Sequence, residues 1–171
     1  MIDKKEEAGE YARVLKELRE ARGERVEQLI GEIRAREEFG IVPGLVTLLG
    51  EARDARLVSG LTSLLADVRD EQLIPLLALG IEMAKDDGDK VNLLRVCWES
   101  ALDFSEYAEL FARLLVEGDF AVALEASTVI ENLGRVPGDR AGAIVKLLEG
   151  ATTDEGRAPL VSAVVQRLSG R

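Results

Sequence analysis

Four carboxylates in the middle of the chain have the type and spacing that could do chemistry: Glu99, Asp103, Glu125 and Glu131. Two carboxylates at a set separation act as acid and base in glycosidases, and oxygen ligands alone can hold Ca²⁺ or Mg²⁺. DDGDK at positions 86–90 lacks the register and the closing Glu of a calcium-binding loop. Carboxylates on helix surfaces are mostly solvated charges. We therefore predict no catalytic, cofactor or metal site, and keep a hydrolase or metal-binding protein using these carboxylates as an alternative.

Histidine is absent from the chain and cysteine occurs once, at Cys97. The Ser-His-Asp and Cys-His arrangements and the usual imidazole metal ligands are therefore excluded. A single thiol closes no disulfide within the chain and holds no zinc by itself. Cys97 falls inside the apolar arc of its segment, which predicts a small buried side chain rather than a nucleophile. These features predict a protein that is not an enzyme, and a cytoplasmic location.

The formal net charge of the chain is −10. Between Val96 and Gly134 eight carboxylates accompany a single cation, Arg113, so this region would repel a phosphate backbone. We therefore predict no nucleic-acid partner. No apolar run approaches the roughly 20 residues of a spanning helix, so we predict no membrane association. A basic protein segment would suit the acidic surface.

The elements that position these residues are short helices, since apolar residues recur at helical spacing and no strand signals occur. We predict a frayed start over residues 1–9 and a single domain over residues 10–170. The predicted regular helices span 41–50, 55–68, 71–85, 90–102, 105–117, 120–133, 138–150 and 157–169, after two charged helices between 10 and 40. DDGD at 86–89 is predicted to break the chain between helices, and Ser105 to be an N-cap.

The helices pair into hairpins that repeat. The first helices of successive pairs begin near 41, 71, 105 and 138, roughly 30–34 residues apart, a spacing typical of an α-solenoid. We predict an all-α fold, a right-handed α-solenoid of about five helical hairpins. An up-and-down helical bundle is the alternative.

The segments IVPGLVTLLG (41–50) and QLIPLLALG (72–80) each place an early Pro before Leu-rich turns. In this the chain resembles HEAT repeats over about residues 41–170, and armadillo-like stacks are similar. VCWESALDFSEY and FAVALEASTVIENL also resemble a small group of bacterial HEAT-like proteins, a resemblance that implies no activity. HEAT resemblance implies a curved stack whose second helices line a concave face where partners bind.

That geometry and the helical wheel select the candidate binding residues. They lie on the second helices of two central pairs and in the turn between them: Asn92, Arg95, Trp98, Glu99, Asp103, Glu125, Thr128 and Asn132. Trp98 is either a binding anchor or a core residue. We predict a non-enzymatic scaffold that holds a protein or peptide on this acidic face. A structural stack joined end to end is the alternative, suggested by the apolar last helix (LVSAVVQRL); the oligomeric state stays open.

Overall fold

The computed structural model describes residues 3–170, and this part of the chain is entirely helical. Its ten α-helices are Lys4–Glu20 (α1), Glu24–Arg36 (α2), Val42–Glu51 (α3), Ala55–Ala66 (α4), Leu73–Met83 (α5), Asp87–Glu99 (α6), Ala108–Glu117 (α7), Phe120–Asn132 (α8), Gly138–Glu149 (α9) and Ala158–Ser169 (α10). Short 3₁₀ turns at Phe39–Ile41 and Ser105–Tyr107 lead into α3 and α7. The prediction of an all-α fold is confirmed.

The helices alternate between two layers along the chain. Even-numbered helices contact one another in order, α2 with α4, α4 with α6, α6 with α8 and α8 with α10. In the odd-numbered layer α1 contacts α3, α3 contacts α5 and α7 contacts α9. The layers meet through pairs such as α3 with α4, α5 with α6 and α7 with α8. This order makes α6 and α8 neighbours, and these helices carry most of the predicted binding residues.

Leucines at helical spacing form the core between the layers. Residues four apart share one helix face, so pairs of leucines on α3, α4 and α5 all point inward. Six of these side chains are at most 1% exposed: Leu45, Leu49, Leu61, Leu65, Leu73 and Leu77. Each such burial contributes about 1.5–3 kcal/mol to folding before the loss of entropy is counted. The ring of Phe104 packs edge to face against the ring of Phe111 in α7, with the ring centroids 6.5 Å apart.

None of the helices between residues 3 and 170 has the length and apolar character needed to cross a lipid bilayer. The helices in this range run from 10 to 17 residues.

Three even-numbered helices begin with the same cap. The carboxylates of Asp54, Asp86 and Asp119 each accept a hydrogen bond from the backbone N–H three residues later, at 2.8–3.0 Å. These caps lie 32 and 33 positions apart in the sequence. An aspartate at this position typically stabilises a helix by about 1 kcal/mol, because it satisfies an N–H that has no partner within the helix. The common cap gives successive hairpins an equivalent start for the second helix.

Side chains also join one turn to the next. The guanidinium of Arg53 binds the carboxylates of Asp86 and Asp89. It also donates hydrogen bonds to backbone carbonyl oxygens of its own turn. The Asp87 carboxylate in turn accepts a hydrogen bond of 3.3 Å from the Asp119 N–H. The capping bond from the Asp89 N–H, together with the charge of Arg53, lowers the pKa of Asp86 below its ordinary value. Consecutive turns are therefore tied along one edge of the two layers.

Three predicted helix starts are corrected. The first helix begins at Lys4 with Asp3 as its N-cap, so residues 4–9, predicted as a frayed start, are helical; residues 1 and 2 lie outside the described residues. Helix α6 begins inside DDGD, because Asp86 caps it. Ser105 does not cap α7 but opens a 3₁₀ turn, and its N–H donates to the Asp103 carboxylate.

Candidate interaction surface

The structure brings together three of the predicted binding residues, Arg95 and Trp98 of α6 and Glu125 of α8. The Arg95 Nε donates to Glu125 Oε1 at 3.0 Å, and the Trp98 indole Nε1 donates to Glu125 Oε2 at 2.7 Å. The Glu125 side chain is 12% exposed, whereas that of Arg95 is 46% exposed. Both oxygens of a nearly buried carboxylate are thus satisfied, one by a cation and one by an indole N–H. Glu125 joins α6 to α8 and is not a free acidic group.

Two further predicted residues lie on these helices but bond elsewhere. The Asn92 amide donates at 3.0 Å to the carbonyl oxygens of Leu49 and Ala52, and so caps the end of α3. The Thr128 hydroxyl donates to the Leu124 carbonyl one turn back, at 2.9 Å. Asn92 therefore holds the two layers together, while Thr128 is satisfied within α8.

Asp103, Asn132 and Glu99 complete the predicted set. Partial burial opposes ionisation of Asp103, but hydrogen bonds from the Ser105 hydroxyl and from the N–H groups of Ser105 and Gly134 outweigh it and lower its pKa. Asn132 is exposed and donates to the Thr128 carbonyl at 2.8 Å. Glu99 is exposed on α6, one turn beyond Arg95. Asp103 thus orders a turn, and Glu99 keeps its carboxylate in solvent.

The four carboxylates that the sequence offers as candidates for catalysis or metal binding do not converge on one site. Glu125 is bound by Arg95 and Trp98, Asp103 by backbone and hydroxyl donors, and Glu131 is exposed. Among residues 3–170, no three His, Cys, Asp or Glu side chains lie close enough together to hold a metal ion. Cys97 is 4% exposed, as predicted, and burial raises the pKa of its thiol.

Two exposed apolar residues of α8, Phe120 and Leu124, were missed by sequence reasoning. We call them the α8 patch; they are 53% and 43% exposed. The helical wheel placed Glu125 and Thr128 on the outward face, but with Glu125 turned toward α6 the exposed face of α8 is rotated by roughly 60°. Their spacing of four residues was the available signal, since it places two large apolar side chains on one helix face.

A second exposed apolar pair lies in the odd-numbered layer. Leu79 and Met83 of α5, here called the α5 patch, are 53% and 72% exposed. They border an open groove of about 330 Å³ between α3 and α5, with Leu93 of α6 among its lining residues. The α5 patch matches the α8 patch in residue spacing and size, but lies in the other layer.

No family model, curated protein or solved structure matches this chain. The HEAT resemblance therefore stays a prediction, and the site is interpreted from its geometry alone.

Proposed function

We propose that the chain is a right-handed, HEAT-like α-solenoid and that it works as a non-enzymatic interaction module in the cytoplasm. Its partner is a protein or peptide, bound on the face formed by the even-numbered helices, and not a nucleic acid. Two observations support the solenoid: the unbroken series of contacts among the even-numbered helices, and equivalent Asp caps 32 and 33 positions apart.

The α8 patch is the observation that carries the binding function. Phe120 and Leu124 keep about half of their surface in water, although burial would favour both side chains. Leu124 directly precedes Glu125, whose bonds to Arg95 and Trp98 fix α8 against α6. An apolar anchor on a rigid helical pair suits protein recognition, because few contacts must be ordered on binding. Catalysis would instead need convergent, unoccupied polar groups.

Matched double variants test this proposal. Phe120→Ser/Leu124→Ser removes the α8 patch, while Leu79→Ser/Met83→Ser removes an equivalent pair from α5. Circular dichroism checks that both fold. Immobilised wild type is used to capture proteins from a cell lysate, and each captured protein is then purified and titrated against all three forms.

We expect the dissociation constant of the partner to rise at least about tenfold with the α8 variant and less than about twofold with the α5 variant. The reverse pattern would move the binding face to the odd-numbered layer. If both variants instead change only the self-association of the chain, the end-to-end stack becomes the better account.

A further inference from the structure

The charges around the α8 patch fall into paired and unpaired groups. Near Phe120 and Leu124, three carboxylates have cationic partners within 3.2 Å: Glu125 with Arg95, Asp87 with Lys90, and Asp154 with Arg157. These pairs cancel and leave little net field for a partner.

Three exposed carboxylates border the patch without an ion pair in the part of the chain that the structure describes. Asp119 directly precedes Phe120, and Glu117, the last residue of α7, lies three residues before it. Glu155 lies beside the patch because a Cβ on its neighbour, Gly156, would be 3.6 Å from Phe120 Cδ2. The Asp119 carboxylate does accept the Val122 N–H, a bond that leaves its charge uncompensated by a cation.

Two further cations need to be placed: exposed Lys85 lies two residues before Asp87, and Arg167 lies at the other end of α8. Arg167 of α10 donates to the carbonyl oxygens of Glu131 and Leu133, at 2.9 and 2.6 Å. Its charge is thus engaged by the negative end of the α8 dipole, beyond Thr128. Beside the α8 patch, the exposed carboxylates without an ion pair in the described chain (Glu117, Asp119 and Glu155) outnumber the one such cation, Lys85.

From this we infer the partner's chemistry: the α8 patch receives a protein segment that carries an apolar side chain flanked by Lys or Arg. The inference rests on the proposed function and adds to it the chemical class of the partner. The apolar side chain covers Phe120 and Leu124, and the flanking cations meet Glu117, Asp119 and Glu155. An acidic segment would meet three unpaired like charges and the overall charge of −10.

Trp98 provides the assay, because it is the only tryptophan of the chain and its indole bonds Glu125, the residue after Leu124. Its emission is followed while three short synthetic peptides without tryptophan are added: leucine alternating with lysine, leucine alternating with glutamate, and serine alternating with lysine. We expect saturable binding only of the leucine–lysine peptide, weakened at least about fivefold when salt is raised from about 0.05 to 0.5 M.

Three double variants separate the contributions of the apolar and the charged side chains. Phe120→Ser/Leu124→Ser should abolish the emission change. Glu117→Gln/Glu155→Gln should raise the dissociation constant at least about fivefold, whereas Glu20→Gln/Glu71→Gln, which removes two exposed carboxylates elsewhere, should leave it within about twofold.

Equal binding of the leucine–glutamate peptide, or equal weakening by both carboxylate pairs, would overturn the inference. Titration of the captured partner against the variants distinguishes failure of this inference from failure of the proposed function. If loss of the α8 patch releases the partner while the peptides show no charge preference, the binding face stands and only the assigned partner chemistry is wrong.

Discussion

Replacing Glu125 tests the contact that joins α6 to α8. Glu125→Ala removes both acceptors of the cluster and leaves the half-buried Trp98 N–H without a partner, at a cost of about 1–3 kcal/mol. The lost pair with Arg95 adds no more than about 1 kcal/mol, since the Arg95 side chain is 46% exposed and regains water. We expect a net loss of about 2–3 kcal/mol in the free energy of unfolding. At about 2–4 °C per kcal/mol for a chain of this size, Tm falls by about 5–10 °C.

The assay is urea unfolding followed by circular dichroism and by Trp98 emission, which should shift to longer wavelength in the folded variant as water reaches the indole. Glu125→Gln keeps a carbonyl oxygen for the Trp98 N–H and should lose only about 1 kcal/mol. Glu131→Ala, which removes an exposed carboxylate from the same helix, is the control and should change stability by less than about 0.5 kcal/mol. A Glu125→Ala protein as stable as that control, with unshifted emission, would refute the cluster.

Three further predictions concern stability. Within residues 3–170 the buried Thr62 hydroxyl has no hydrogen-bond partner, so Thr62→Val should raise the free energy of unfolding by about 1 kcal/mol. A lower free energy of unfolding, measured in urea, would show that the hydroxyl has a partner. Gly142 lies within α9, where a Cβ would touch no other atom, so Gly142→Ala should raise the free energy of unfolding by about 0.5–1 kcal/mol. Gly118→Ala, in contrast, would put a Cβ 2.8 Å from the Leu114 carbonyl oxygen and should lower Tm. Because the folded pKa of Asp86 lies below the unfolded value, its stabilisation is present above about pH 4 and is lost as pH falls through the folded pKa. Asp86→Asn should therefore reduce the stability difference between pH 7 and pH 3.

Most of the helices could be predicted because short-range signals mark them. Leucines four apart in α3, α4 and α5 define inward faces, and the turn at 117–119 is set by Gly118 and the Asp119 cap. Two of the three corrected starts have a common cause, since Gly9 and DDGD look like helix breakers in the sequence. Gly9 lies exposed inside a 17-residue helix that tolerates its modest cost, and Asp86 caps a helix instead of ending one.

The candidate site was harder to predict because its decisive contact spans 30 residues. A glutamate on the polar side of a helical wheel is normally expected to face water. The Glu125 carboxylate instead binds Arg95 and Trp98 of another helix. That contact also turns Phe120 and Leu124 outward, and no local pattern records it. The position of Trp98 on α6, by contrast, depends only on helical geometry, and the structure leaves its side chain partly buried.

The repeated aspartate cap has a consequence for how the length of such a chain can change. Asp54, Asp86 and Asp119 each accept the N–H three residues on, so excision or duplication of the segment between two of them rejoins the backbone at a chemically identical joint. A whole hairpin of about 32 residues can then be lost or gained in register, without designing a new turn. The hairpin is therefore the natural unit of insertion and deletion. Recombination can change the number of hairpins by one in a single step.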